Sequence, residues 1–238
     1  MNPLDFTGRA VVVTGGTRGI GAGIARAFRA AGARVLVCGR TRPADDADFH
    51  PADVRDPAQA AELIRVAVER FGRLDVVVNN AGGSPQAPAG EASPRLHAKV
   101  IELNLIAPLH VSQAANAVMR EQPGGGVILM IGSVSGTRPS PGTAAYGAAK
   151  AGLHHLATSL AVEWAPKVRV NSLVVGPVAT SVDAAAVARA VPMGRTATPA
   201  EVAGACLFLA SPLAGYVSGA ALEVHGGGEW PAYLSNFR

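Results

Sequence analysis

The chain has 238 residues, 49% hydrophobic and only 16% charged, which suits one large domain or two small ones with a substantial buried core. Basic residues exceed acidic ones only 21 to 17 and form no block, which argues against a nucleic-acid partner. Cys38 and Cys206 are distant and flanked by apolar residues, so they make neither a disulfide framework nor a metal motif, and a reducing cytoplasm is expected. No apolar run reaches the ~18 residues of a membrane span, and the first residues do not read as a signal peptide.

The first predicted strand is Arg9 to Val13, nearly all apolar after its first residue, as in a parallel strand buried on both faces. Thr14-Gly-Gly-Thr-Arg-Gly-Ile-Gly21 follows, then a helix over Ala22 to Ala31 stopped by Gly32. Strand, glycine turn and helix N-terminus in this order let a backbone approach a pyrophosphate. A plain tight turn is the other reading. Arg34 to Cys38 is the second strand. Gly39, Arg40 and Arg42 follow it, and no acid appears before Asp45. An acid there binds ribose hydroxyls, whereas an arginine accommodates a 2′-phosphate. With Arg18 in the turn, the cations favour NADP over NAD, although Arg40 and Arg42 also read as solvated loop charges.

Residues 41–51 are short, polar and proline-bounded, too few for a full helix before a third strand near Phe49 to Ala52. Asp53 and Val54 close that strand. A helix from Pro57 to Phe71, stopped by Gly72, leads to a strand over Leu74 to Val78 that ends in Asn79-Asn80-Ala81-Gly82. Ser93-Pro94 caps a helix running to about Arg120, with Asn104, a poor helix former, at its middle. Asn104 is either a satisfied core amide or a working group. His97 and His110 on this helix have no metal-ligand spacing.

Gly126 to Gly132 is a strongly apolar strand that delivers Ser133 to its C-terminal end. After a proline and glycine loop comes a helix carrying Tyr146 and Lys150. Residues four apart share a helix face, so a phenol and an ammonium stand together. A nearby cation favours the phenolate and lowers a pKa that is otherwise about 10. Such a pair is either an acid/base device or an ordinary surface pair. His154 and His155 lie beyond it and read as packing or solvent-facing. Lys167 to Val175 is the sixth strand, with Val178 and Thr180 just past it. A helix from Pro199 to Ala210 and a strand over Ala221 to Val224 complete the pattern. Trp230, Tyr233 and Phe237 lie in the tail. This alternation predicts an α/β fold on a parallel sheet.

Taken in order, Thr-Gly-x-x-x-Gly-x-Gly, Asn-Asn-Ala-Gly, Ser133, Tyr-x-x-x-Lys and Asn-Ser-Leu-Val-Val-Gly-Pro resemble the short-chain dehydrogenase/reductase family over nearly the whole chain. The resemblance implies one Rossmann-like domain over residues 1–238. Its doubly wound, mostly parallel seven-stranded sheet carries helices on both faces, and one peripheral helix after strand 2 is missing. It implies that Tyr146 is the general acid for carbonyl reduction, tuned by Lys150, which also reaches the nicotinamide ribose. Ser133 then holds the substrate oxygen, and Asn104 steadies a water next to Lys150. The implied cofactor set is Gly15, Thr17, Arg18, Gly19, Ile20, Arg40, Asp53, Val54, Asn80, Ala81, Gly82, Tyr146, Lys150, Val178 and Thr180, with no metal.

The leading expectation is therefore NADP(H)-dependent reduction of a ketone, with a 3-oxoacyl thioester as one candidate substrate. The alternatives are an NAD-linked dehydrogenase of a cyclic diol and an idle NADP-binding sensor or scaffold. By the same resemblance a homotetramer or homodimer packs through the two longest helices. The chain departs from the family pattern at Val175-Gly176, at His225 and in a short lid over residues 180–192. Arg138 is read either as a contact for an acidic substrate group or as a solvated loop charge.

Overall fold

Ala10–Thr14 (β1) is entirely buried and lies at the centre of the sheet, between two other apolar strands. The computed structural model describes residues 2–42, 48–179 and 187–228. The remaining strands are Arg34–Gly39 (β2), Phe49–Pro51 (β3), Val76–Asn79 (β4), Gly126–Ile131 (β5), Val168–Val175 (β6) and Ala221–Val224 (β7). They form one seven-stranded sheet in the order β3-β2-β1-β4-β5-β6-β7. Every pairing is parallel. The order reverses between β1 and β4, and a crevice opens beyond the strand ends at such a reversal.

Side chains alternate across the sheet. Val12, Leu36, Val77 and Ile128 join one apolar core. It is covered by Pro57–Phe71 (α2), Ala107–Met119 (α4) and Ala144–Glu163 (α5). Val11, Val13, Val35 and Val76 face the other core, covered by Gly19–Ala30 (α1) and Pro199–Ala210 (α6). Each such buried side chain contributes about 1.5–3 kcal/mol.

Local chemistry sets the helix ends. Asp56 accepts hydrogen bonds from the Ala58 and Gln59 N–H groups at the start of α2, and Gly72 ends it at φ 72°. Thr198 and Glu201 form a capping box at the start of α6. The glycine turn is shorter than the sequence implies, because the helix already begins at Gly19. β4 starts two residues later than expected. Leu74 instead bonds the Gln122 side chain through both its N–H, at 2.9 Å, and its carbonyl, at 2.7 Å.

The expected single helix over 94–120 has three parts. Pro94–Ile101 (α3) and α4 flank a π-turn over Glu102–Ile106. Asn104 sits in that turn and is fully buried. Its Nδ2 donates to the Val100 carbonyl at 2.9 Å, so the side chain takes up an acceptor that the widened turn shifts out of register. Between β2 and β3 the described residues contain no helix. Among the described residues no helix is long and apolar enough to cross a membrane, and no three His, Cys, Asp or Glu side chains are grouped to hold a metal ion. Both cysteines are buried and unpaired.

Candidate active site

The two strand ends at the sheet's reversal are stitched together by one threonine and one asparagine. Thr14 Oγ1 accepts hydrogen bonds from the Asn80 and Ala81 N–H groups, both at 3.0 Å. Asn80 Nδ2 donates to the carbonyls of Thr14, at 2.9 Å, and Gly15, at 3.1 Å. This lock explains two glycines. Gly15 has φ +62°, and a Cβ there would stand 3.0 Å from Ala81 Cα. At Gly21 a Cβ would reach 2.3 Å from the Gly15 carbonyl oxygen. The start of α1 receives no side-chain cap and has no acid in its first turn, so its N–H groups stay available for an anion.

A cleft of about 970 Å³ runs across these strand ends. Every predicted site residue lines it except three. Asn104 lies behind it, Val178 lies outside its lining, and Thr180 falls outside the described residues. The Val178 segment is instead tied to Ala197, whose N–H donates to the Pro177 carbonyl at 2.9 Å. Trp230, Tyr233 and Phe237 also fall outside the described residues. Arg138 is exposed and donates to the Pro139 carbonyl at 2.8 Å, away from the cleft lining.

Ser133, Tyr146 and Lys150 come together at one end of the cleft. Ser133 follows β5 in extended conformation, and its Oγ accepts from the Ser135 N–H at 3.1 Å, which leaves its own proton to donate. Lys150 is only 4% exposed, and its Nζ donates to the Ile131 carbonyl at 2.8 Å. Burial pulls its pKa down to about 8. Nζ lies 5.6 Å from the centre of the Tyr146 ring.

The expected lowering of the Tyr146 pKa is not the direction its surroundings give. Burial, which disfavours the phenolate, pushes it above its ordinary value, while a hydrogen bond with Ser133 acts the other way. Both members of the Tyr-Lys pair thus lean toward their neutral forms.

Asn104 touches the cleft through the backbone. The Gly83 N–H donates to its Oδ1 at 2.9 Å, and its Nδ2 donates to the Gly83 carbonyl at 2.8 Å. A Cβ on Gly82 would lie 2.7 Å from Asn104 Oδ1 and 3.3 Å from Lys150 Nζ, so bare backbone separates the two side chains.

At the opposite end Arg18 and Arg40 are exposed along the cleft. Asp53 does not face it as a lone carboxylate. Arg55 Nε lies 2.9 Å from Asp53 Oδ1 and 3.2 Å from Oδ2, and a second guanidinium nitrogen bonds Oδ2. These bonds hold the Asp53 carboxyl below the usual carboxylate range. Sequence reasoning missed Arg55, although a cation two residues past Asp53 was a visible signal. It also omitted the Thr14 hydroxyl, which stands in the quoted glycine motif.

A dinucleotide fits these residues. The uncapped helix start and Gly15 suit a pyrophosphate, the arginines suit an anionic nucleotide end, and the hydroxyl pair lies at the far end of the same cleft.

Comparison with known proteins agrees. Residues 15–229 match the family profile described as Enoyl-(Acyl carrier protein) reductase. The chain is 36% identical over 240 residues to a 3alpha-hydroxysteroid dehydrogenase of Mediterraneibacter gnavus, covering 92% of this chain and 96% of that one. It is also 36% identical over 252 residues to the 2,3-dihydroxy-2,3-dihydro-p-cumate dehydrogenase of Pseudomonas putida, covering 95% and 96%. The crystal structure of gox2181 superposes with a TM-score of 0.87 at 31% identity, covering 94% of this chain and 97% of that one. The chain therefore belongs to the short-chain dehydrogenase/reductase family, oxidoreductases of alcohols and carbonyls that use a nicotinamide cofactor.

Proposed function

We propose that this chain is an NADPH-dependent reductase of ketones, running in reverse as an NADP-dependent dehydrogenase of secondary alcohols. The observation that carries the reading is one cleft lined by Ser133, Tyr146 and Lys150 at one end and by Arg18 and Arg40 at the other. When bound, the nicotinamide supplies the hydride. The Ser133 hydroxyl orients the carbonyl oxygen, and the Tyr146 hydroxyl gives it a proton as negative charge builds there. A donor aimed at developing charge is typically worth about 3 kcal/mol of barrier. The raised Tyr146 pKa keeps the proton on the phenol near neutrality, as a donor requires. Lys150, held by the Ile131 carbonyl, sets a positive field beneath that phenol.

The preference for NADP(H) rests on charge. β2 ends in Gly39, and Arg40 rather than an acid follows it. The acid that does line the cleft, Asp53, is already bonded to Arg55. Arg18 and Arg40 then favour a 2′-phosphate. Site roles for Asn104, Val178 and Thr180 belong to the same proposal.

A second reading, NAD-linked oxidation of a cyclic diol, is favoured by the relative named for a dihydrodiol. An idle sensor is disfavoured by the complete set of Ser133, Tyr146 and Lys150 in one cleft. We further propose a cytoplasmic homotetramer or homodimer assembled through α4 and α5, where Leu109, Leu156, Leu160 and Trp164 line an open groove. Size-exclusion chromatography with light scattering tests this, and a monomer refutes it.

The function is tested by following NADPH and NADH consumption against a panel of ketones, together with fluorescence titration of both nucleotides. Turnover of ketones with NADPH, and tighter binding of NADPH than of NADH, is expected. Reaction with NAD and cyclic diols alone selects the second reading. Nucleotide binding without turnover in either direction selects the sensor.

A further inference from the structure

Tyr146, Lys150 and His154 stand on successive turns of one face of α5, each four residues from the last. Tyr146 and Lys150 line the cleft, whereas His154 is directed at the backbone that carries Ser133. Its Nε2 lies 3.3 Å from the Ser133 carbonyl oxygen, and its Nδ1 lies 3.0 Å from Ser172 Oγ on β6. A carbonyl oxygen only accepts, so Nε2 carries the proton and Nδ1 accepts from the Ser172 hydroxyl. Burial lowers the pKa of this ring, reinforced by the Lys150 charge and opposed by the Ser133 carbonyl, so the neutral form is favoured.

The two side chains grip alternate carbonyls. Lys150 holds Ile131 and His154 holds Ser133, and carbonyls two apart on an extended segment point the same way. The segment is shaped for the ring. A Cβ on Gly132 would stand 2.1 Å from His154 Cε1, and one on Gly136 would stand 3.0 Å from its Cδ2. Bare Gly132 thus admits the imidazole, while Gly136 lets the backbone itself approach α5, where a Cβ would stand 2.7 Å from the Ala151 nitrogen. Ser133 is also held by the Ser135 N–H on its Oγ, at 3.1 Å, by the Gly136 N–H on its carbonyl, at 2.9 Å, and by a hydrogen bond with Tyr146, so His154 adds a backbone tie to α5 beside the side-chain one.

We propose that His154 is a positioning residue. By holding the Ser133 carbonyl to the helix that carries Tyr146, it sets where the Ser133 hydroxyl stands relative to the phenol. The inference rests on the oxidoreductase reading of the site.

A double-mutant cycle tests it, using His154→Leu, Ser133→Ala and the pair, with kcat, KM and NADPH affinity measured for each. His154→Leu is expected to lower kcat roughly tenfold or more, with NADPH affinity unchanged. In the Ser133→Ala background it is expected to have no further effect, because the group it positions is gone. His154→Gln, which keeps an N–H donor, is expected to recover most of the loss. Additive losses, or a loss carried by NADPH affinity, overturn the proposal. Unchanged turnover in Ser133→Ala alone refutes the functional reading instead.

Two further readouts do not depend on that variant folding, and the first does not depend on activity. Imidazole ¹⁵N spectra of the wild-type protein are expected to show one neutral Nε2–H tautomer, and an Nδ1–H tautomer overturns the proposal. Ser172→Ala is expected to give a mixture of tautomers and a smaller kcat loss that vanishes with Ser133→Ala. A single tautomer with unchanged kcat overturns it.

Discussion

Asn104 and Gly83 hold each other by a reciprocal pair of hydrogen bonds at 2.9 and 2.8 Å, a side-chain amide pairing with a backbone as one strand pairs with another. The loop after β4 is thereby fixed to the π-turn. Asn104→Leu removes both bonds and leaves the Val100 carbonyl without its Nδ2 donor. Gly83 is exposed and falls back on water, whereas the Val100 carbonyl is buried, so the stability lost is expected to be about 1–3 kcal/mol. Turnover is expected to fall by far more than that, because the loop edges the cleft. Urea unfolding and steady-state rates on the same variant check this. A fall in both of equal size would make Asn104 an ordinary core amide.

Lys150 is charged at a cost set by burial. Its pKa is about 8 in the folded protein against an ordinary 10.5, so between these values the unfolded chain binds more protons than the native one. Stability from this group therefore rises with pH across that window, and the penalty is complete below about 8. Lys150→Met removes the penalty. In cofactor-free protein, the stability of the variant relative to wild type is expected to fall by about 3 kcal/mol as pH rises through the window. Denaturant melts at several pH values measure it. A difference independent of pH would mean that the ammonium is not desolvated.

Arg40 is an exposed cation at the end of β2 with no acid beside it in that strand. Arg40→Ala is expected to weaken NADPH binding about tenfold or more, as for loss of a charge-assisted bond to phosphate, and to leave NADH binding nearly untouched. Fluorescence titration of both nucleotides decides. Equal weakening would place Arg40 outside any 2′-phosphate contact.

Two helix glycines separate packing from propensity. Gly23 on α1 faces α6 so closely that a Cβ would stand 2.6 Å from Pro199 Cβ. Gly204 on α6 has nothing within 4 Å of a Cβ. Gly23→Val is expected to destabilise by about 1–3 kcal/mol through overpacking. Gly204→Ala is expected to stabilise by about 1 kcal/mol through helix propensity. Urea midpoints check both signs, and a tolerated Gly23→Val would contradict the close approach of α1 and α6.

The sheet was legible because β1, β2 and β5 are short apolar runs closed by glycine or polar ends. The order of β1 and β4 around the glycine turn follows from the motifs at their tips. Periodicity does not show a π-turn, since Asn104 keeps the apolar spacing of its helix while its amide replaces a backbone bond. Ser133, Tyr146 and Lys150 were legible as residues of one cleft through the ordered motifs that carry the family resemblance. The Tyr146 shift was not, because it depends on how deeply the phenol is buried and not only on its neighbour. His154 reads as packing in one dimension, since both of its partners, Ser133 and Ser172, lie on other elements.

The most direct measurement is single-turnover reduction of a ketone by NADPH-loaded wild-type protein and Tyr146→Phe, with NADPH affinity titrated in parallel. Equal affinity and a rate lowered by at least ~10²-fold in the variant are expected if the phenol delivers the proton. Reduction at the wild-type rate by the protein lacking that hydroxyl would contradict it.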